Sequence, residues 1–426
     1  MKAKIFTVAA TLVSTVIAAP GPEAVTIRAD RPSAVYKVGE QIDFTVTGPL
    51  DNITCRVSDG KSETAPQPLT DGKISVPARE PGFILVTLDL GKDKNGRPRT
   101  VCAGAAVEPE KIRPGVKMPD DFEAFWKREV AAMREAKREV LKMEPISGEY
   151  LPAGFVGYNV AVKQGDVTAT GYLVLPEAAA AHSLPAVLNF NGASKVSSEL
   201  PDAINIAKAN YAISFNLNFH GLENFNLTRK RDRERESKVR PLVARYQFNA
   251  AEDRQNYAMR KIFLRVVLAA DFIRNLPEFD GKRLVAAGGS LGGCQALVCA
   301  ALVPEVVLCV SNATAMCDHF GREAGHLPGW PNLLERNPQA AKAAAYFDMV
   351  NFAALVRCPT RMAVGFIDVT CPPASTYAAY NNLGTKDKKM FHTVTGGHGP
   401  AWDRKERGVF SHSMRDIKPF LKAFGK

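Results

Sequence analysis

Between residues 22 and 108 apolar and polar positions alternate. Ala24-Val25-Thr26-Ile27-Arg28 and Gln41-Ile42-Asp43-Phe44-Thr45-Val46 keep a period of two, which sends every second side chain to the same face of a strand. Further short runs lie at 53–57, 73–76, 83–88 and 99–107. The turn pairs Asp59-Gly60, Asp71-Gly72, Pro81-Gly82 and Asn95-Gly96 punctuate them. Short strands at this spacing predict a small all-β, Ig-like sandwich over 22–108. No catalytic constellation falls within it.

The pattern then changes. Residues 108–119 carry three prolines and read as a linker. Asp120 or Asp121 is placed to cap a helix over 122–142, in which Phe122, Phe125, Trp126, Val130 and Met133 share one core-facing stripe. From residue 150 apolar strands alternate with helices. Strands are predicted at 155–162, 169–175, 186–190, 212–217, 284–287, 306–310, 360–365 and 389–394, with helices between the later ones, for instance 257–274. This is the α/β grammar of a doubly wound, mostly parallel sheet with helices on both faces.

Composition narrows the picture. The 46% hydrophobic and 23% charged content is that of an ordinary globular chain. Residues 1–19 read as a signal peptide: Lys2 and Lys4, an apolar stretch over 5–17, and small residues before a cleavage point near Ala18. No later segment is long and apolar enough for a membrane span, so a secreted or periplasmic protein is expected. Loss of the two lysines lowers the formal charge from +11 to +9. The densest run, 229–236, alternates in sign and lacks interleaved aromatics, which argues against a nucleic-acid partner. Of eight cysteines none forms a C-x-x-C pair, so no zinc site is expected. Cys55 and Cys102, on separate strands of an exported sandwich, could pair across its two sheets; Cys294, Cys299 and Cys309 read as core thiols.

The chemistry concentrates at Gly288-Gly289-Ser290-Leu291-Gly292-Gly293. A G-x-S-x-G core between an apolar strand and an Ala/Leu/Val-rich helix predicts a sharp turn that lifts the serine hydroxyl above the sheet. An activated serine needs a base and a carboxylate to orient that base. In the order expected of this turn type, acid then histidine follow the serine. Asp368, after the strand at 360–365, and His398, in Gly396-Gly397-His398-Gly399 after the strand at 389–394, meet that order at the same edge as Ser290. The rivals are weaker. His392 lies inside a strand, His319 and His326 precede the acid, and His412 falls on the final helix; Asp348 is the substitute acid. Two backbone N–H groups are needed for the oxyanion. Leu291, after the nucleophile, and Ala193, in Asn191-Gly192-Ala193 after the strand at 186–190, occupy those positions.

Several segments resemble the acetyl xylan esterase/cephalosporin C deacetylase family of α/β-hydrolases. They are Pro119-Asp120-Asp121-Phe122-Glu123-Ala124-Phe125-Trp126, the serine motif itself, Asp318-His319-Phe320, and Tyr346-Phe347-Asp348 with Val350-Asn351-Phe352-Ala353. Gly365-Phe366-Ile367-Asp368 and Cys371-Pro372-Pro373-Ala374-Ser375-Thr376 through Ala378-Ala379-Tyr380-Asn381 complete the set. The resemblance spans roughly 112–426 and leaves the sandwich uncovered. It implies a serine esterase that removes acetyl groups from sugars, with Ser290, Asp368 and His398 as its triad and no metal or organic cofactor. The expected partner is an acetylated oligo- or polysaccharide, xylan or its fragments foremost, and a homo-oligomer is left open. The chain departs from the family at His220-Gly221-Leu222 (R-G-Q), Leu291 (Q), Asn191-Gly192-Ala193 (H-G-Y) and Gly399 (E). Leu291 and Ala193 act through backbone N–H groups, so these changes bear on substrate preference rather than on the chemistry. The other readings are an esterase for a larger acyl group, such as feruloyl, a peptidase-like hydrolase, or a glycan-binding protein on a decayed hydrolase scaffold.

Overall fold

The computed structural model describes residues 25–403 and 405–424; the signal-peptide reading at 1–19 lies outside them. The N-terminal alternation becomes eight strands: β1 (Thr26–Ala29), β2 (Val35–Tyr36), β3 (Gln41–Thr47), β4 (Thr54–Ser58), β5 (Gln67–Pro68), β6 (Lys73–Pro77), β7 (Gly82–Lys92) and β8 (Pro98–Val107). They form a three-stranded sheet, β1-β3-β6, and a five-stranded sheet, β2-β8-β7-β4-β5. Ile42, Phe44 and Val46 from the first sheet meet Ile84, Val86, Leu88, Ala103 and Ala105 from the second in one buried cluster, as the period of two requires.

Two expectations fail in this region. Cys55 and Cys102 do not face each other across two sheets, because β4 and β8 belong to the same sheet with β7 between them. Two strand spacings, roughly 9–10 Å, exceed the reach of a disulfide. Cys55 stands opposite Leu88 and Cys102 opposite Thr87. Neighbouring residues of β7 point to opposite faces, so the two thiols do too. Both cysteines are free. The first helix also ends early: α1 (Phe122–Glu135) gives way to an edge strand, β9 (Arg138–Pro145), which pairs antiparallel with β10 (Phe155–Gln164). Asp121 occupies the helix N-cap without a capping hydrogen bond; its carboxylate instead accepts from Tyr346 and from Arg254 Nη1 (3.0 Å). The predicted apolar stripe of α1 is buried throughout.

The α/β unit continues with β11 (Val167–Pro176), β12 (Leu184–Phe190), α2 (Leu200–Asn210), β13 (Ile213–Asn218), α3 (Arg233–Val239), α4 (Ala258–Ile273), β14 (Phe279–Gly289) and α5 (Leu291–Leu302). It ends with β15 (Val306–Asn312), α6 (Leu333–Arg336), α7 (Ala341–Ala344), α8 (Met349–Leu355), β16 (Thr360–Gly365), α9 (Pro373–Asn381), β17 (Lys388–Thr393) and α10 (Ile417–Ala423). The nine-stranded sheet runs β17-β16-β15-β14-β12-β13-β11-β10-β9. β12 to β17 are mutually parallel, and β9 to β11 add antiparallel pairings at one edge. The sheet is therefore mixed, and the mostly parallel expectation describes its central part. Alternate residues feed two cores. Leu188, Leu284, Ala286 and Cys309 pack with α4 and α5, whereas Val187, Val285, Leu308 and Val310 pack with Ile417 and Leu421 of α10. Helices therefore cover both faces.

Chain order reverses at β12. β13 lies on one side of it and β14 on the other. In open α/β sheets the crevice at such a reversal, beyond the carboxyl ends of the strands, is where ligands sit. Phe190 ends β12 in register with Gly288 of β14, so Asn191-Gly192-Ala193 and Ser290 emerge side by side. Among the described residues no helix is long and apolar enough to cross a membrane.

Candidate active site

Ser290 stands between β14 and α5 with φ 58° and ψ −125°, a left-handed backbone that side-chain-bearing residues seldom adopt. Its surroundings impose that conformation. The Ser290 N–H donates to the Asn312 carbonyl at the end of β15 (2.9 Å), and the Ser290 carbonyl accepts from the N–H groups of Cys294 and Ala315 (both 3.1 Å). Two glycines admit the turn. A Cβ on Gly292 would lie 2.1 Å from the Phe190 carbonyl oxygen, and one on Gly288 would lie 2.4 Å from the Gly292 backbone. Strand and helix meet closely here because neither glycine carries a side chain.

The three predicted side chains converge. His398 Nε2 lies 2.9 Å from Ser290 Oγ, and His398 Nδ1 lies 2.8 Å from Asp368 Oδ2. Asp368 Oδ1 accepts the N–H groups of Thr370 (2.8 Å) and Cys371 (2.9 Å), so both carboxylate oxygens are engaged. The Asp368 side chain is fully buried, while that of His398 is 23% exposed. Burial by itself pushes the His398 imidazole down, but the Cys371 sulfur and the Asp368 carboxylate beside it push it up, and the balance lies above the ordinary histidine range. Burial also raises the Cys371 thiol. Cys371 is thus uncharged at neutral pH, and Asp368 is the charge that holds His398 up.

The histidine loop is fixed on its own account. Glu406 accepts the N–H groups of Val394 (2.5 Å) and Thr395 (2.7 Å). Backbone of the acid loop and of the histidine loop touch, since a Cβ on Gly365 would lie 2.3 Å from the Gly396 carbonyl oxygen.

Leu291 opens α5, so its N–H is one that a helix start leaves without an intrahelical acceptor. Neither the Leu291 nor the Ala193 N–H donates to an acceptor among the described residues. Gly192 runs beside the serine, its Cβ position 3.7 Å from Ser290 Cβ. Below this loop lies a buried amide pair: Asn191 Nδ2 donates to Asn216 Oδ1 (2.9 Å) and Asn216 Nδ2 returns to Asn191 Oδ1 (3.2 Å). Gln295 Nε2, on α5, donates to the Asn191 carbonyl (3.1 Å). Loop and helix are thereby held in one register.

The rival residues have other partners, apart from His319, whose two buried ring nitrogens meet none among the described residues. Asp348 is buried and caps α8 by accepting from Val350 (3.1 Å), and it also accepts the N–H groups of Asp318 (2.7 Å) and His319 (2.6 Å). His326 pairs with Asp318 (3.1 Å), and His392 meets Tyr377 Oη (2.5 Å). Burial drives His319 down to about 3. His412 does not lie on the final helix: it precedes α10, between two short 3-10 turns, and bonds the Arg407 carbonyl (3.1 Å). Residues not anticipated also shape the site. Phe410 sets its ring edge-on to His398, 5.4 Å between centroids, and its carbonyl is held by Asn312 Nδ2 (3.3 Å). Phe410, Asn216 and Gln295 carry no motif, and Cys371 belongs to a segment of the resemblance that gave it no role; only the fold brings them in. Among the described residues no group of three or more His, Cys, Asp and Glu side chains is placed to hold a metal ion.

The sequence model of the acetyl xylan esterase (AXE1) family matches residues 108–324 and 331–412. Acetyl esterase Axe7A of Xylanibacter ruminicola is 29% identical over 383 residues, covering 85% of this chain and 84% of that protein. Among solved structures, the acetyl xylan esterase from Paenibacillus sp. R4 superposes with a TM-score of 0.57 at 22% identity, covering 68% of this chain and 93% of its own. Acetyl xylan esterase 1 from Thermoanaerobacterium sp. JW/SL YS485 gives 0.52 at 23% identity, with 69% and 93% covered. The two structural likenesses carry the α/β-hydrolase fold.

Proposed function

The chain belongs to the acetyl xylan esterase family and is a carboxylic ester hydrolase, and on that premise we propose that it removes O-acetyl groups from acetylated sugars through an acetyl-enzyme on Ser290. The hydrogen-bonded line Ser290–His398–Asp368, with both contacts under 3 Å, supports this reading above all else. Ser290 Oγ attacks the acetyl carbonyl as His398 Nε2 takes its proton. Asp368 keeps the Nδ1 proton in place and stabilises the imidazolium that forms. The free N–H groups of Leu291 and Ala193 take the oxyanion; preorganised donors of this kind contribute about 3–4 kcal/mol each. The protonated His398 then returns its proton to the departing sugar oxygen, activates water in the second half, and acetate leaves. Xylan and xylo-oligosaccharides are the substrates we assign, in keeping with the names of the relatives. Export by way of residues 1–19 brings the enzyme to polysaccharide outside the cytoplasm. The β unit at 22–108 and the catalytic unit at 112–426 are its two parts.

Acetate release from acetylated xylan and acetylated xylo-oligosaccharides tests the reading. The wild-type chain is expected to release acetate, and Ser290→Ala to lose activity by roughly 10⁵–10⁶ in kcat while keeping its circular dichroism. Full turnover by Ser290→Ala overturns the assignment of the nucleophile; absence of acetate release by the wild type overturns the substrate.

A further inference from the structure

We infer that the N-terminal β unit is a working part of the active site, in which Phe83, Gly104 and Arg28 hold the loops that carry Asp368 and His398 in reacting register. The inference rests on the catalytic reading above and extends it to residues that touch neither substrate nor triad.

The five-stranded sheet is covered on both faces. One face packs on the three-stranded sheet. From the other, Phe83 and Ala106 are built into the core of the catalytic unit, joined there by Ala34 just before β2. The Phe83 ring stands edge-on to Phe366 at 5.3 Å and lies 5.7 Å from Tyr377. Phe366 in turn lies 5.0 Å from the His392 ring. Phe366 is two residues before Asp368, and His392 is in β17, the strand that leads to His398. Next to Phe83, Gly104 lies flush on the acid loop, since a Cβ there would come within 2.4 Å of the Phe366 carbonyl oxygen.

A separate contact reaches the histidine loop. Arg28, in β1, lies 4.7 Å above the Trp402 ring and bonds Asp403 (2.7 Å); Trp402 ties back to the Thr395 carbonyl (3.1 Å). The β unit thus grips the acid loop from one sheet and the histidine loop from the other. A spacer or a tethered binding module would require neither grip. Displacements of an ångström between reacting groups cost about a hundredfold in rate, so a buttress at this position acts on turnover. Phe83 is a positioning residue that acts through Phe366.

Full-length Phe83→Ala tests the inference, with Phe83→Leu and Ser290→Ala assayed alongside. For Phe83→Ala with native near-ultraviolet circular dichroism, kcat is expected to fall about 10- to 100-fold while KM changes little. The acidic limb of kcat/KM moves down in pH, because a loosened Asp368 supports the imidazolium less. Phe83→Leu, which refills the volume, restores most of both. Unchanged kcat and an unchanged limb in folded Phe83→Ala overturn the inference, even where its thermal midpoint drops. If Phe83→Ala does not fold, Arg28→Ala carries the same test through a surface contact: reduced kcat with KM held supports the buttress, and wild-type kcat and pH profile overturn it. Turnover retained by Ser290→Ala would strike the catalytic reading itself, whatever Phe83 does, so the two failures are distinguishable.

Discussion

Ser290 carries φ 58°, and a residue held in such a region costs on the order of 1–3 kcal/mol. The cost is offset by fixed neighbours: the Asn312 carbonyl on its N–H, and Cys294 and Ala315 on its carbonyl. At this scale the sequence was most informative. The glycine spacing around Ser290 announced the turn, and chain order together with a place in a loop after a predicted strand favoured Asp368 over Asp348 and His398 over four other histidines. It could not reveal Phe410, or the place of Cys371 beside His398, because both depend on tertiary packing. The titration of His398 gives a prediction here. In the proposed mechanism the serine attacks only when the imidazole is neutral, so activity is lost as pH falls through its pKa. Asp368 holds that pKa above the ordinary value of about 6.5. The acidic limb of a kcat/KM profile is expected above that value, and Asp368→Asn is expected to lower the limb and to cut kcat by about 10⁴. A wild-type limb at or below the ordinary value, unmoved by Asp368→Asn, would contradict the role given to Asp368.

Among elements, strands with clear alternation or a solid apolar run were legible to within a few residues, as β3, β16 and β17 illustrate. β9 was not. Residues 138–145 continue a helix-like composition past α1, and their side chains are mostly exposed, so only backbone pairing with β10 makes them a strand. The loop after β12 was legible as a position but not in its support, because Asn216 lies on a different strand. Asn216→Leu removes the amide partner of Asn191 and leaves buried polar atoms unpaired, at about 1–3 kcal/mol. We expect kcat to drop by about tenfold or more through the loosened Ala193 N–H, measured beside a modest loss of thermal stability. Unaltered kcat would show that the amide pair serves stability alone. Gly292→Ala is more severe. Its methyl group would overlap the Phe190 carbonyl, and the variant is expected to lose serine reactivity together with stability.

For the whole molecule, the hydrophobic pattern separated a β unit from an α/β unit but said nothing of how they dock. Phe83 and Ala106 read as ordinary strand residues, and only their shared core with Phe366 and Tyr377 shows the two units to be continuous. Because that core crosses the boundary, a single cooperative thermal transition is expected. Phe83→Ala would lower stability by about 3–5 kcal/mol; two separate transitions in calorimetry would contradict the shared core. Cys55 and Cys102 on opposite faces of one sheet also make a reductant without effect on that transition. The central claim, that Ser290 is the hydroxyl made nucleophilic by His398 and Asp368, is tested most directly by peptide mapping of the whole protein after reaction with a fluorophosphonate. One adduct per chain on the peptide holding Ser290, with acetate release lost in proportion to labelling, is the predicted result. An unlabelled Ser290 in an enzyme that still releases acetate would contradict it.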